Sequence, residues 1–525
     1  MKKRRWIMIL AALAGYAALL RLLVYVESFS QEATISTVGE AAWFSLVTLT
    51  TAGYGDYYPV TPWGRIIGTV FLLLSTGLLA LLVGAAVSLM TGLLLPWLRL
   101  RGKRRKAWYL FSDKTPEALI LSDALRAEEP GVITVFCGVS EAAAPELRER
   151  RDCFGIKGGF EEALRLRKNS AGCTLIVMGP DSLFNYTRAL AAAASGLRVC
   201  CQTELTPEEI PDNITLFDRR ECCARRYWQY HPLKKGERTI LLIGGGCYGE
   251  ALLEQALTTN VQGGGRATVY HVFGGDGAFL RHHPYLGEVM EMRWAEEPDR
   301  EPLSSDAVLL HKESWDADAA LLAGADRIIL CGDDDGENLE IYRLLCRCFA
   351  PVGEIHLRLS HPLAGAVVFG TDEETLTGDL ALRIRQDEAA RAMHEIYRRS
   401  TGGKAPRWEE LGDFARCSNR SAADHLLTKV RILLEDEGIT ALTAENCREA
   451  YRRYQETREE KASFYRELEH CRWMRFYALH GWRYAPVRDN ARRLHPDLRP
   501  FDRLTEEEQA KDDYAWELLG EVCME

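Results

Sequence analysis

The hexapeptide Thr51-Ala52-Gly53-Tyr54-Gly55-Asp56 sets four consecutive backbone carbonyls, those of Thr51, Ala52, Gly53 and Tyr54, beside the Thr51 hydroxyl. Oxygen ligands of this kind replace the water of a dehydrating monovalent cation such as K+, and a selectivity filter supplies them as rings from four copies of one loop. Successive carbonyls converge on one axis only where the backbone alternates between ordinary and left-handed dihedrals. Glycine enters the left-handed region at no steric cost, and Gly53 and Gly55 are placed for it. The alternative is a chance glycine turn in an ordinary loop; the preceding WFSLVTLT and the long apolar runs on both sides argue against that.

A second pattern, Gly244-Gly245-Gly246-Cys247-Tyr248-Gly249, matches GxGxxG between an apolar strand and a helix. Gly244, Gly246 and Gly249 would let a pyrophosphate approach the backbone at the positive end of the helix. A tight glycine turn used only for helix packing is the other reading. The strand beginning at Ala267 ends without the acidic residue expected to hold a ribose, unless Asp276 reaches it. Further on, Arg483, Arg488, Arg492 and Arg493 lie beside Trp482 and Tyr484, a composition suited to stacking and anion binding; aromatics at helical spacing are by default a core. No Ser/His/Asp grouping sits on suitable turns, and the 15 cysteines show neither CxxC pairs nor Cys/His metal spacing. No catalytic function, catalytic cofactor or metal is expected, and the cysteines fit a reduced cytosol. The net charge of -10 disfavours nucleic acid as a partner.

Two apolar runs, Trp6 to about Val26 and Ile66 to Leu95, are long enough to span a bilayer, which needs about 20 residues. Lys2, Lys3, Arg4 and Arg5 precede the first, and Arg99, Arg101, Lys103, Arg104, Arg105 and Lys106 follow the second, so both termini are expected to be cytoplasmic. No small-residue cleavage site follows the first run, which favours a retained helix over a signal peptide. Between the runs, Glu27, Glu32, Glu40 and Asp56 suggest an acidic outer vestibule. Gly77 and Gly84 lie where the second helix would bend.

After Lys106 roughly 420 residues remain, enough for two or three domains. An internal repeat organises them. TLIVMGPDSLFNYTRALAA from Thr174 and RIILCGDDDGENLEIYRLL from Arg327 each place a strand before a glycine, Gly179 or Gly332, with an asparagine six positions later, Asn185 or Asn338. The units also open alike, at Trp108 and Thr239, with a strand, a turn and a helix. Alternating short strands and helices predict a parallel α/β sheet twice over. In the first copy Ser112, Asp113 and Pro116 replace the glycines, so only the second keeps a phosphate cradle. The C-terminal part has helical periodicity, many aromatics and little β-branched content.

The segment from about Trp43 to Trp63 resembles the pore of potassium channels, whose signature is usually TVGYGD, with Ala52 in place of valine. That resemblance implies a homotetramer, K+ as the permeant ion, and Gly77 as a gating hinge. Paired α/β modules after a two-helix pore resemble RCK (regulator of potassium conductance) gating domains, covering about Lys106 to Leu382. By that resemblance Asp334 and Asn338 face the same crevice as the glycines, and NAD(H) or an adenine nucleotide is a candidate regulatory ligand; Asp333-Asp334-Asp335 are alternatively a divalent-cation site. The stretch from Leu468, with His470, Trp473, Gly481-Trp482-Arg483-Tyr484, His495-Pro496 and Pro500-Phe501, resembles the RyR repeat, and His394, Tyr397 and Trp408 repeat its outline upstream. Trp473, Trp482, Arg483, Tyr484 and His495 are then candidate pocket residues.

The expected fold is multidomain: an α-helical two-helix membrane pore with a re-entrant loop (1–105), two Rossmann-like α/β domains (106–235 and 236–383) and a mainly α-helical C-terminal domain (384–525). The expected function is a ligand-gated potassium channel in the cell membrane, with the lipid bilayer, a small molecule and copies of itself as partners. Its rivals are an effector channel that depolarises the cell on sensing a stress or defence nucleotide, and a membrane-anchored nucleotide-dependent enzyme.

Overall fold

A computed structural model describes residues 2–524 apart from 51, 91–94, 140–143, 169, 206, 208–209, 264–266, 297–302, 304 and 440. It divides into two compact units, Met1–Arg104 with Val139–Arg150 and Phe154–Lys157, and Arg105–Gly138 with Arg151–Cys153 and Gly158–Glu525.

In the smaller unit, α1 (Lys2–Glu27), α2 (Val38–Leu49) and α3 (Pro62–Leu89) pack around Leu20, Leu23, Ile35, Ala41, Ile67 and Phe71. Thr37 and Glu40 form a reciprocal capping box at the start of α2, a pattern that satisfies two orphan N–H groups at once. Thr61 caps α3, with Pro62 in its first turn. The Glu27 carboxylate accepts from the Val60 and Thr61 N–H groups at 2.9 and 3.0 Å and from the Thr61 hydroxyl at 2.6 Å. It therefore ties the end of α1 to the start of α3. Among the described residues no helix is long and apolar enough to cross a membrane; the side chains of 2–13 in α1 and of 74–78, 81, 82, 88 and 89 in α3 fall outside that description.

The larger unit holds two parallel sheets and a helical C-terminal part. The strands of the whole chain, in order, are β1 (Trp108–Phe111), β2 (Ile133–Cys137), β3 (Cys153–Ile156), which falls mostly in the smaller unit, β4 (Cys173–Val177), β5 (Arg198–Gln202), β6 (Ile214–Phe217), β7 (Thr239–Ile243), β8 (Val269–Phe273), β9 (Glu291–Trp294), β10 (Ala307–His311), β11 (Arg327–Leu330), β12 (Glu354–Arg358) and β13 (Val367–Phe369). Within this unit β2, β1, β4, β5 and β6 lie side by side in that order, all parallel. The second sheet runs β13-β12-β11-β7-β8-β10-β9. Chain order reverses between β7 and β11, the topological switch point at which doubly wound sheets open a crevice.

Strands buried on both faces read as continuous apolar runs, and β7 (TILLI) and β11 (RIIL) do. Alternate residues serve opposite faces: Ile240, Leu242 and Ile329 join Tyr227, Trp228, Leu252 and Ala256 on one side, while Leu241, Ile243, Ile328 and Leu330 join Leu322, Leu345 and Leu357 on the other. The sheet cysteines Cys137, Cys153, Cys173, Cys200, Cys201 and Cys331 are buried, whereas Cys247, Cys346 and Cys348 are exposed. Burial pushes the Cys201 thiol up to about 12.

The C-terminal helices Ile384–Ser400, Asp413–Asp424, Leu426–Leu433, Ala444–Leu479 and Tyr514–Met524 surround Met393, Val430, Tyr454, Tyr465 and Trp516. The same cluster takes in Val261 of the second sheet's connection, and Ala478 enters the core under β7. This helical part thus shares its core with the second sheet. A short pair, β14 (Arg483–Tyr484) and β15 (Leu494–His495), closes a loop after the 36-residue helix.

Candidate functional site

The glycine turn follows α2. Gly53 has φ 57° and Gly55 φ 72°, with Tyr54 between them outside the left-handed region, so the alternation expected of converging carbonyls is present here; Thr51 lies outside the described residues. The Ala52 and Gly53 N–H groups both donate to the Val47 carbonyl, at 3.1 and 3.4 Å. Trp43, on α2, braces the turn from behind: its indole N–H donates to Asp56 at 2.8 Å, and its ring lies parallel to that of Tyr54, 6.3 Å between centroids. The Trp43–Asp56 bond was not foreseen from sequence, although both residues lay within the recognised segment.

Of the four acidic residues between the apolar runs, Glu32 and Asp56 are exposed, and three have structural partners. Glu27 is fully buried as the tie described above, Glu40 accepts from Ser36 and Thr37 at the start of α2, and Asp56 holds Trp43. The Ser36 and Thr37 hydrogen bonds hold the Glu40 carboxyl below the usual range. α3 is one continuous helix through Gly77 and Gly84.

The GxGxxG turn stands between β7 and the helix Cys247–Thr259, at the switch point. Its glycines are required by backbone rather than by open space: a Cβ at Gly244 (φ 111°) would lie 2.2 Å from the Gly332 nitrogen, one at Gly245 2.3 Å from the Gly274 carbonyl, and one at Gly249 2.1 Å from the Gly244 carbonyl. Between the Gly245 turn and the Gly274–Gly275 loop the remaining cavity is about 10 Å³. The donors that would hold a phosphate are taken as well. The Cys247 and Tyr248 N–H groups donate to the Asp333 carboxylate at 3.1 and 3.0 Å.

Asn338 does not face the crevice as a ligand. It is fully buried, its Oδ1 accepts from the Gly332 N–H at 2.9 Å, and its Nδ2 donates to the Gly332 and Arg358 carbonyls at 2.8 and 3.1 Å. Asn185 makes the matching set in the first sheet, to Gly179 and Gln202. The repeated asparagine is a strut beneath the strand end. Asp334 caps its own helix through the Glu337 N–H at 2.8 Å. Asp335 pairs with Arg358 and accepts from the Ser360 N–H. The acidic triplet points three ways, and among the described residues no carboxylate, thiol and imidazole cluster suits a metal. The crevice in this conformation does not fit a dinucleotide. In the first sheet Asp113 pairs with Arg188 at 2.8 Å.

The C-terminal candidates come together, but chiefly as packing. Trp482 is 6% exposed and packs with Met474 and Leu498; its ring stacks on Phe414 at 5.4 Å. Trp473 contacts Tyr477 and His495 at 4.3 and 5.0 Å. Burial, helped by the positive Arg488, pushes the His495 pKa down to about 4. Arg483 and Tyr484 are exposed and Trp473 is half-buried, Arg483 lying over the Tyr285 ring at 5.3 Å. Beside them an open concavity of about 670 Å³ is walled by Val487, Arg488, Asp489, Asn490, Arg492 and Leu494, so that one carboxylate stands among its arginines. The duplicated outline has a geometric counterpart: His470 Nε2 donates to the Arg499 carbonyl, just before Phe501, as His394 Nε2 does to that of Pro406, just before Trp408.

Sequence reasoning missed the polar joints between this part and the sheets. Arg475 donates to Asp306 at 2.7 Å, both side chains about 10% exposed, and to the Leu257 carbonyl. His425 donates to the Val261 carbonyl at 2.8 Å. Asp424 accepts from Arg225, Gln255 and Gln386, on three other helices. Single charged residues far apart in sequence carry no local signal of such pairing.

Comparison with known proteins places the likeness in the N-terminal part. Residues 6–92 match the family described as ion channel. A voltage-gated potassium channel of Aeropyrum pernix is 42% identical over 59 residues, 11% of this chain and 20% of that protein. Two-pore potassium channel 5 of Arabidopsis thaliana is 43% identical over 51 residues, 10% of this chain and 12% of that protein. The chain thus spans a fifth or less of the length of these relatives. Among solved structures, a GsuK channel aligns over 72% of this chain and 97% of its own at 16% identity, with a TM-score of 0.32, too low to carry a shared arrangement. Residues 6–92, which hold the glycine turn, its tryptophan brace and the helices on either side, match the ion channel family.

Proposed function

We propose that the chain is one subunit of a homotetrameric, potassium-selective channel of a cell membrane, crossing twice with both termini cytoplasmic, and controlled by a small molecule acting on its cytoplasmic part. The observation that carries this reading is the pair of left-handed glycines, Gly53 and Gly55, braced by the Trp43–Asp56 bond. Four such turns around an axis would present the carbonyl rings that replace the hydration shell of K+. The apolar runs and their flanking basic residues support the two crossings.

The two sheets take the place of RCK-type gating domains and the C-terminal helices that of an RyR-type module; no enzymatic step is assigned. A ligand that binds one arrangement of these parts better shifts the pore equilibrium by its difference in affinity. The C-terminal helices favour themselves as the place where the ligand acts, because they share a core with the second sheet and carry the concavity beside Arg483 and Tyr484. An anionic, planar ligand such as an adenine nucleotide suits arginine and tyrosine at a rim. The test is K+ and Na+ flux from liposomes holding the full chain, with nucleotides added to the cytoplasmic side. Equal K+ and Na+ permeation would refute the pore reading, and flux indifferent to Arg483→Ala at a nucleotide concentration that changes wild-type flux would refute the placement of the ligand.

A further inference from the structure

We infer that Asp333 is a built-in anion which fills the phosphate seat of the second sheet, so that the glycine turn is a locked packing turn and nucleotide recognition by this chain does not use it. A helix N-terminus attracts anions because its first N–H groups have no partner within the helix. In the helix Cys247–Thr259 the N-cap is Gly246, which has no side chain to cap with. Asp333, arriving from the end of β11, supplies the missing cap, one carboxylate oxygen to the Cys247 N–H and the other to that of Tyr248. The space that admits it is the one Gly246 leaves: a Cβ there would lie 2.5 Å from Asp333 Oδ2. A phosphate would use the same opening and the same two donors.

The two halves of the internal repeat provide a control. Aligned on Asn185 and Asn338, the position of Asp333 is Pro180 in the first copy. There the corresponding helix, Pro116–Glu128, is capped by its own Thr115 through the Ala118 N–H. The first helix caps itself; the second borrows its cap from across the switch point. The borrowed cap is also held in place. Gly332, next to Asp333, is pinned by Asn338, and the Asp333 carbonyl accepts from Arg358 at 3.2 Å. The other wall of the crevice is shut independently, since a Cβ at Gly275 would meet the Gly245 carbonyl at 2.2 Å. A cavity of about 10 Å³ is at the lower limit for one water molecule.

The test is amide hydrogen exchange on the full chain in detergent micelles, with and without millimolar ADP or NAD, read on the peptide containing Cys247 and Tyr248. In the wild type this peptide is expected to be protected without ligand and unchanged by either nucleotide. Asp333→Ser removes the carboxylate and should speed exchange at least tenfold, and ADP should then restore protection by taking the vacated seat. Asp333→Asn, which keeps one acceptor oxygen, should fall between the two and covers the case in which the serine variant does not fold. Protection of the wild-type peptide by ADP or NAD would overturn the inference, as would unchanged exchange in both variants. ADP failing to protect the opened turn would overturn the assignment of Asp333 as a phosphate substitute.

Discussion

Replacing Gly53 tests the filter by torsion alone. Its φ of 57° lies in the left-handed region, and in the single chain no atom lies within 4 Å of a Cβ built on it. The penalty for a side chain is therefore conformational, and it is about 1–2 kcal/mol for an L-residue. Four copies around one pore would accumulate about 4–8 kcal/mol, and about 5.5 kcal/mol suffices to invert a 99:1 equilibrium. Gly53→Ala should thus abolish selective K+ flux in liposomes while the thermal transition of the larger unit stays within a degree or two. The order of severity is fixed by the same argument: asparagine, which tolerates this region better than other residues, should be mildest, alanine intermediate and valine worst. K+ over Na+ selectivity retained in Gly53→Val, or an asparagine variant more damaged than the valine one, would refute the reasoning.

Trp43→Phe keeps the ring and removes the indole donor to Asp56; hydrogen bonds to charged groups contribute about 1.5–3 kcal/mol, and partial exposure of Trp43 puts this one at the low end, so selectivity should fall while the fold persists, and unchanged flux ratios would count against the brace. Arg475→Met leaves Asp306 buried without its partner, a change that typically costs about 3–5 kcal/mol. Calorimetry should then show the C-terminal helices and second sheet destabilised together, and a separate early transition for the helices would contradict their shared core. Burial holds His271 down to about 4, assisted by His311, and His495 likewise to about 4, assisted by Arg488. Both lie below the unfolded value near 6.5, so the unfolded chain binds more protons in between: their contribution is full above about pH 6.5 and lost as pH falls toward 4. The melting temperature should drop over that window, less steeply in His271→Gln, and a flat profile would refute the assignment.

What the sequence made legible was chemistry carried by residue type at fixed spacing. Gly53 and Gly55 announce left-handed backbone wherever they stand between apolar helices, and the strand-glycine-asparagine repeat announced two parallel sheets. The glycine turn left two readings open because identical glycines serve the approach of a phosphate and the approach of another backbone. Only the residues opposite decide, here Gly332, Gly274 and Asp333, and Asp333 is 86 residues from the amide it caps. A clue was present in the repeat itself: Asn185 matches Asn338 although its own copy has no cradle, which points to a role in the sheet. The aromatic group around Trp473 and Trp482 took the default course for such residues and became core, leaving Arg483 and Tyr484 at its rim.

The distribution of thiols turns the chain into its own probe. Alkylating reagents act on accessible thiolates, and among the described residues the exposed cysteines are Cys247, Cys346 and Cys348, while those of the sheet strands are sealed in. Among the described residues, a maleimide would therefore favour these positions over the sealed strand cysteines. Cys247 stands at the mouth of the glycine turn, its own N–H held by the Asp333 cap, and Cys346 and Cys348 lie in the turn after the helix Asp335–Leu344. The rate of labelling at the first, referenced to the other two by peptide mass, would report whether that turn ever opens.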